Sequence, residues 1–364
     1  MIAAISDFVN RVLGRGDATI TVPSFDGALK PNQLLEQAET LLECEALEDL
    51  AVDGNSLLVA DGLRLLRLTG SFATTMRTFE RPISALAVLP SGGVAVAIGG
   101  TEVHIYDDIA AKSPSTTFTG ELHAVNALAA APDGTLIATD GSSLRGVGEW
   151  ARDLMELGET GRVFRLDPKS RTTKQIAGKL SHAFGVAASG SDVLVSESWR
   201  HRLVSIAPDG ARKVVLGRLP VYPSRLSPAS GGGFWLTAFT ARTQLVEFVL
   251  REPAYRRRMI AEIEPEYWVV PRLSSGNSFK EPLQGAHIKT MGMLKPWAPP
   301  RSYGLVIRLG ADGLPRYSVH SRADGINHGI VAAAELNGDL IMIAKGPGRV
   351  LKLPLATIGA EIGA

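Results

Sequence analysis

Residues 125–141 read VNALAAAPDGTLIATDG: a short apolar run, a turn at Asp133-Gly134, and a second apolar run that ends in small and polar residues. Asp-Gly supplies a residue able to take φ > 0, as a tight antiparallel hairpin requires, and the two runs have the length of strands rather than helices. The unit recurs five more times, at 47–62 (LEDLAVDGNSLLVADG), 83–99 (ISALAVLPSGGVAVAIG), 184–198 (FGVAASGSDVLVSES), 224–240 (SRLSPASGGGFWLTAFT) and 329–346 (GIVAAAELNGDLIMIAKG). Asp53-Gly54, Gly92-Gly93 and Asn337-Gly338 take the turn in three of them. A unit repeated at such spacing signals a repeat architecture.

Moving outward from each hairpin, most units continue into a third strand of similar character: LRLLRLTG from Leu63, EVHIYD from Glu102, GRVFRLDP from Gly161, HRLVSIAPDG from His201 and GRVLKLPL from Gly348. A more polar fourth strand follows, as in TTKQIAG from Thr172 and RKVVLG from Arg212. Four antiparallel strands repeated six times predict an all-β, six-bladed β-propeller with four-stranded blades around a central channel. The sixth unit runs out near Leu355, so a strand from the other terminus is expected to close the ring, with ATITVPSF over 18–25 as the candidate. On this reading residues 1–45 hold a short amphipathic helix (MIAAISDFVNRVL) and the closing strand, and residues 46–364 form the propeller.

Two insertions interrupt the spacing. Residues 142–160 carry helical apolar spacing at Trp150, Leu154 and Leu157. Residues 247–303 hold an expected helix near EPAYRRRMIAEI and then a loop rich in Pro and Trp before GLVIRLGADG resumes the strand pattern. A loop that long inside a compact domain is usually functional, and it is the candidate lid.

Of the 364 residues 45% are hydrophobic and 21% charged, with 38 Lys and Arg against 37 Asp and Glu. The net charge of +1 gives no field to attract nucleic acid, and no apolar run is long enough for a transmembrane segment. Cys44 is the single cysteine, which rules out an intrachain disulfide and a multi-cysteine metal site and fits a cytoplasmic protein. P-loop, dinucleotide, zinc and Gly-x-Ser-x-Gly motifs are absent. No cofactor is expected, the partner is a small-molecule substrate, and the oligomeric state is not legible.

In a propeller the first strand of each blade lines the channel. Its upstream end here carries Glu48 and Asp49 in blade one, Ser84 in blade two, His123 and Asn126 in blade three, His182 and Phe184 in blade four, Ser224 and Arg225 in blade five, and Asn327 and His328 in blade six. Polar groups facing a narrow, partly dry channel are costly unless paired or used, so this set marks the candidate site.

The run over 125–206, together with VYPSRLSPASGGGFWLTAF at 221–239 and RPISAL at 81–86, resembles the strictosidine-synthase-like family, in which a YPDN-like strand precedes a Phe-Trp strand. The resemblance implies a six-bladed propeller related to paraoxonases and gluconolactonases, calcium-dependent ester and lactone hydrolases, and to the plant enzyme that condenses tryptamine with an aldehyde. Of the positions at which the hydrolases hold calcium, Glu48 and Asn126 are retained, while Phe184 and the Ser224-Arg225 pair replace oxygen ligands, so a site without catalytic metal is expected. The glutamate used by the plant enzyme falls close to Val331, where there is no acid.

The residues then point to Glu48, Arg225 and His328 as the catalytic set, with Arg225 in the space of a calcium, paired with Glu48 and orienting a carboxylate or carbonyl. His328 or His182 serves as base, and Asp49, Ser84, Asn126, His182, Phe184 and Trp199 bind the substrate. Plainer readings stand beside these: a Glu48–Arg225 pair that only staples blade one to blade five, Trp199 as packing between blades, and Arg256, Arg257 and Arg258 as a solvated helix face. Three function classes remain: a metal-independent hydrolase or a lyase of condensation type, a small-molecule-binding or scaffold propeller without chemistry, and a calcium-dependent esterase or lactonase.

Overall fold

The computed structural model describes residues 22–274, 289–290, 293–294, 302–322 and 325–362. Six four-stranded antiparallel sheets follow one another along the chain, as the repeat predicts. Their innermost strands are Leu47–Asp53, Ile83–Val88, Val125–Ala130, Ala183–Ser189, Val221–Pro228 and Ile330–Leu336. Each inner strand packs beside the next, and the sixth packs beside the first, so the ring is closed.

The gradient of polarity along each repeat has a packing cause. Inner and second strands are covered on both faces by the neighbouring blades, and Val94–Ile98 (VAVAI) is buried at every position. Outer strands face solvent, and Phe72–Thr78 (FATTMRT) is exposed or half-exposed throughout. The core therefore lies between blades: Ala85, Ala97 and Val103 of blade two pack against Val125, Leu136 and Phe164 of blade three. At the last hairpin Asn337 and Gly338 have φ of 52° and 84°, both left-handed, as a two-residue turn of this hand requires.

The ring is closed from the N-terminal side, but by Glu39–Glu43 rather than by residues 18–25. Residues 22–25 are not in a strand, and 18–21 lie outside the described residues, as does the expected helix over 1–13. The observed closing strand pairs antiparallel with Arg349–Pro354, and ion pairs Arg349–Glu43 (2.9 Å) and Lys352–Glu39 (2.6 Å) fix its register. An outer strand has one wet face, so charged ETLLE suits the position better than the β-branched ATITV. Between residues 27 and 37 the chain packs against blades five and six, with Leu34 and Leu35 buried among Val319, Leu340 and Leu353.

The first insertion forms helix α1 (Trp150–Glu156), with Trp150 and Leu154 on it as expected and Leu157 just past its end, left-handed and exposed. The second begins with α2 (Gln244–Arg251) and α3 (Pro253–Glu262), so Glu247 lies inside a helix. Residues 275–288 and 295–301, most of the expected lid, lie outside the described residues. No helix among the described residues is long and apolar enough to cross a membrane.

Candidate functional site

An inner strand pairs on one edge only. Its other edge faces the channel, and the N–H and C=O groups there need partners. Arg225, in the inner strand of blade five, supplies donors. Its Nη1 donates to the carbonyls of Glu48 (2.9 Å) and Val331 (3.3 Å), and its Nη2 to the carbonyl of Ser84 (2.8 Å) and to Glu48 Oε1 (3.4 Å). One guanidinium thus ties blade five to blades one, two and six. Asp49 supplies the acceptors: its carboxylate takes the N–H of Leu50 (2.9 Å) and of Leu86 in blade two (2.8 Å), and Oδ1 lies 3.3 Å from Arg225 Nε. Burial pushes the Asp49 carboxyl up to about 6, against the opposing pull of Arg225 and the two N–H groups.

This pair divides the axis. On the hairpin side lies a chamber of about 420 Å³ walled by the downstream halves of all six inner strands, largely alanines such as Ala51, Ala129, Ala188 and Ala334, with Asp49 and Arg225 also lining it. On the other side lies a cavity of about 50 Å³ lined by Glu48, Lys345, His182, Asn126, Val147, Leu273, Val331 and four aromatic rings. Trp150 comes from α1, Trp199 from the turn after the second strand of blade four, Phe184 from the inner strand of blade four and Phe239 from blade five. Phe184 stacks on Phe239 at 6.3 Å, and the Arg225 guanidinium lies 5.3 Å from the Phe184 ring. Trp150 meets Phe239 edge-on at 5.8 Å.

Two polar groupings face this cavity. The Lys345 ammonium sits directly on Glu48 Oε2. Burial alone would raise the Glu48 carboxyl, but Lys345 and Arg225 together hold it below its ordinary value. In the second grouping His182 stacks on Trp199 at 4.2 Å and 23°, with Nδ1 3.3 Å from Asp153 Oδ2 and Nε2 3.4 Å from Asn126 Nδ2. Trp199 Nε1 donates to the same Asp153 oxygen at 2.7 Å. Trp199 therefore walls the cavity instead of only packing between blades.

Of the sequence candidates, Glu48, Asn126, His182, Phe184 and Trp199 line the aromatic cavity, and Arg225 and Asp49 form the partition behind it. The expected Glu48–Arg225 pair is present at 3.4 Å. Four of the five guanidinium hydrogens are taken by the fold, and the fifth, on Nε, is buried 3.3 Å from Asp49 Oδ1 without a hydrogen bond to it, so the group is spent mainly on holding the blades. The geometry makes Arg225 a keystone. Ser84 contributes its carbonyl and lines neither cavity. His328 is likewise away from both: Nδ1 bonds Ser302 Oγ at 2.6 Å and Nε2 lies 2.9 Å from the Arg322 carbonyl oxygen. Its proximity to blade six in sequence misled, because the side chain turns into the 302–322 segment.

Sequence reasoning missed Lys345, Asp153, Trp150 and Phe239. Lys345 follows the second strand of blade six and reads as the end of a hairpin. Trp150 and Asp153 lie on the insertion, whose helical spacing is visible but whose docking over the axis is not.

The calcium set implied by the resemblance does not fit these residues. Glu48 is held by two cations, Asn126 presents its amide N–H₂ to the Ala183 carbonyl (3.0 Å) and to His182, and a ring and a guanidinium occupy the other two places. Among the described residues no three His, Cys, Asp or Glu side chains cluster to hold a metal.

Comparison with known proteins agrees with this architecture. The sequence model of strictosidine synthase matches residues 126–205, a stretch containing Asn126, His182, Phe184 and Trp199. Adipocyte plasma membrane-associated protein of Mus musculus is 26% identical over 303 residues, covering 72% of this chain and 73% of that protein. The Homo sapiens protein of that name is 27% identical over 304 residues, with 72% and 73% covered. Among solved structures, a gluconolactonase from Xanthomonas campestris superposes with a TM-score of 0.56 at 16% identity, covering 92% of this chain and 95% of that one. Regucalcin from Agrobacterium tumefaciens, a calcium-binding protein, does so with a TM-score of 0.54 at 10% identity, covering 87% and 92%. These last two likenesses are of fold alone. Fold, matched stretch and relatives together show a six-bladed propeller that resembles the strictosidine-synthase family.

Proposed function

We propose that this propeller is a metal-independent hydrolase that cleaves a compact ester or lactone at the aromatic end of its axis. One observation carries the reading: the Lys345 ammonium, seated on Glu48, and the His182 imidazole line one cavity among four aromatic rings. A volume of about 50 Å³ suits a reacting carbonyl and a water, with the rest of the ligand lying outside. Water adds to the carbonyl carbon, the π electrons move to the carbonyl oxygen, and the ammonium stabilises the resulting oxyanion beside the aromatic rings. The intermediate then expels the alcohol oxygen and leaves the acid. Glu48 stays ionised and fixes Lys345. Arg225 and Phe184 argue against a metal-assisted route, since they fill two places where oxygen ligands would be needed.

A second reading, ligand binding without turnover, is favoured by the tight Lys345–Glu48 pairing, which offsets the charge meant for the oxyanion. Hydrolysis of phenyl acetate and of a γ-lactone with EDTA present throughout separates the two. Saturable hydrolysis, reduced roughly 100-fold in Lys345→Met with Tm unmoved, supports the enzyme. Tm rising with ligand but no hydrolysis supports binding alone. Turnover that requires added calcium overturns the metal-free route.

A further inference from the structure

We infer that Asp153, carried by α1, positions His182 as the base that takes the proton from the attacking water in the aromatic cavity. This rests on the ester-cleaving reading above and supplies the proton acceptor that reading lacks, since Glu48 is committed to Lys345 and Arg225.

The geometry is that of an oriented imidazole. Both groups are almost completely buried, at 3% exposure for Asp153 and 4% for His182. Burial alone would raise the Asp153 carboxyl, yet His182, Trp199 and Ser142 hold it below its ordinary value, so it acts as an acceptor. His182 must then carry its hydrogen on Nδ1, which leaves the Nε2 lone pair for a proton. Asn126 marks the direction of that lone pair: one hydrogen of its Nδ2 goes to the Ala183 carbonyl, and the other faces Nε2 at 3.4 Å.

Three backbone features make room for this arrangement. A Cβ at Gly141 would collide with Asn126 Nδ2 and come within 2.9 Å of His182 Cε1, and a Cβ at Gly158 would collide with the Asp153 carboxylate. His182 itself has φ of +58°, a left-handed conformation that a non-glycine residue holds at some cost. If the carboxylate served only to dock α1 on blade four, the Trp199 Nε1 bond to the same oxygen would suffice. The imidazole stacked on that indole, with its second nitrogen beside Asn126 in the cavity wall, is unneeded for docking.

In the step proposed, the attacking water displaces the long 3.4 Å Asn126 contact at His182 Nε2, and its O–H proton passes to Nε2 as the new C–O bond forms. The imidazolium, paired with Asp153, returns that proton to the departing alcohol oxygen as the ester C–O bond breaks. Water is consumed, an acid and an alcohol are formed, and no other reactant is required.

The test uses the full chain with phenyl acetate in EDTA, comparing His182→Gln, Asp153→Asn and Asp153→Glu, together with ring-¹⁵N spectra of histidine-labelled protein. Asp153→Asn keeps an oxygen for Trp199 and removes the charge. The expected result is a kcat reduced about 10²–10⁴-fold in His182→Gln and Asp153→Asn with KM little changed, and partial recovery in Asp153→Glu. The spectra should show His182 protonated on Nδ1 and bare on Nε2, a preference lost in Asp153→Asn. Wild-type kcat in Asp153→Asn, or a wild-type His182 protonated on Nε2, overturns the inference. If the wild-type protein cleaves no ester, the hydrolase reading falls and the spectra alone decide the pairing: bare Nε2 upholds it and protonated Nε2 overturns it.

Discussion

The two ends of the axis are built from the same six inner strands and differ in almost everything else. On the hairpin side the strands carry alanines and leave a chamber of about 420 Å³. On the other side Trp150 from the insertion, with Trp199, Phe184 and Phe239 from blades four and five, narrows the space to about 50 Å³ and surrounds it with groups able to move protons and stabilise charge. The ring sets where a channel runs, and titratable and aromatic side chains are concentrated where loops and an inserted helix close it. Between them Arg225 and Asp49 satisfy free strand-edge groups of blades one, two and six.

The sharpest way to break this comparison is to remove the partition. Arg225→Met leaves the carbonyls of Glu48, Ser84 and Val331 and the Asp49 carboxylate without their cation, and a loss of about 3–5 kcal/mol in denaturant unfolding is expected. Arg225→Lys should recover only part of it, because one ammonium cannot bridge three blades. Wild-type stability in Arg225→Met would show that the two ends do not depend on a shared keystone.

The next effect is confined to the aromatic end. Lys345→Met should lower ester hydrolysis roughly 100-fold, or about 2.7 kcal/mol of transition-state stabilisation, while urea unfolding moves by less than about 1 kcal/mol, since the Lys345–Glu48 pair is partly exposed. Equal losses of activity and stability would make that pair a structural staple.

A smaller effect belongs to the partition itself. Asp49 has its carboxyl raised to about 6 from an ordinary value of 3.8, so the folded state favours its protonated form. Its contribution is fully present below about pH 4 and is lost as pH rises through about 6. His320, lowered to about 4 by burial, works in the opposite sense, losing its contribution as pH falls below 6.5. The two must be separated by difference: stability of the wild type minus that of Asp49→Asn should fall by about 1–3 kcal/mol between pH 4 and pH 7. A flat difference would mean that Asp49 is ionised throughout.

The smallest effect is expected in the wide chamber. Ala334→Ser adds a hydroxyl to a half-exposed wall, and thermal unfolding should shift by no more than about 0.5 kcal/mol with hydrolysis unchanged. A large loss of activity there would join the two chambers functionally.

Much of this was legible beforehand. The hairpin turns at Asp53-Gly54, Asp133-Gly134 and Asn337-Gly338 and the apolar runs around them are local features, so six blades, their strand order and the upstream ends of the inner strands followed directly. Glu48, Asn126, His182 and Phe184 line the aromatic cavity for that reason, and Trp199 joins them from the turn after the second strand of blade four. The closing strand was harder to read, because an outer strand bears no local sign of a partner more than 300 residues away and ATITV has the stronger β propensity. Lys345 lines the aromatic cavity and His328 does not, because side-chain direction at a strand end depends on what packs there.

The sequence by itself determined the ring, since φ-permissive turns and strand-length apolar runs act within a few residues of one another. Only the tertiary structure decided which groups meet on the axis. Arg225 could become a keystone only when strand edges from four blades met around it, and Asp153 could reach His182 only when an inserted helix docked across the channel mouth. Those relations join residues distant in the chain, and they are set by which backbone groups remain unpaired once the ring has closed.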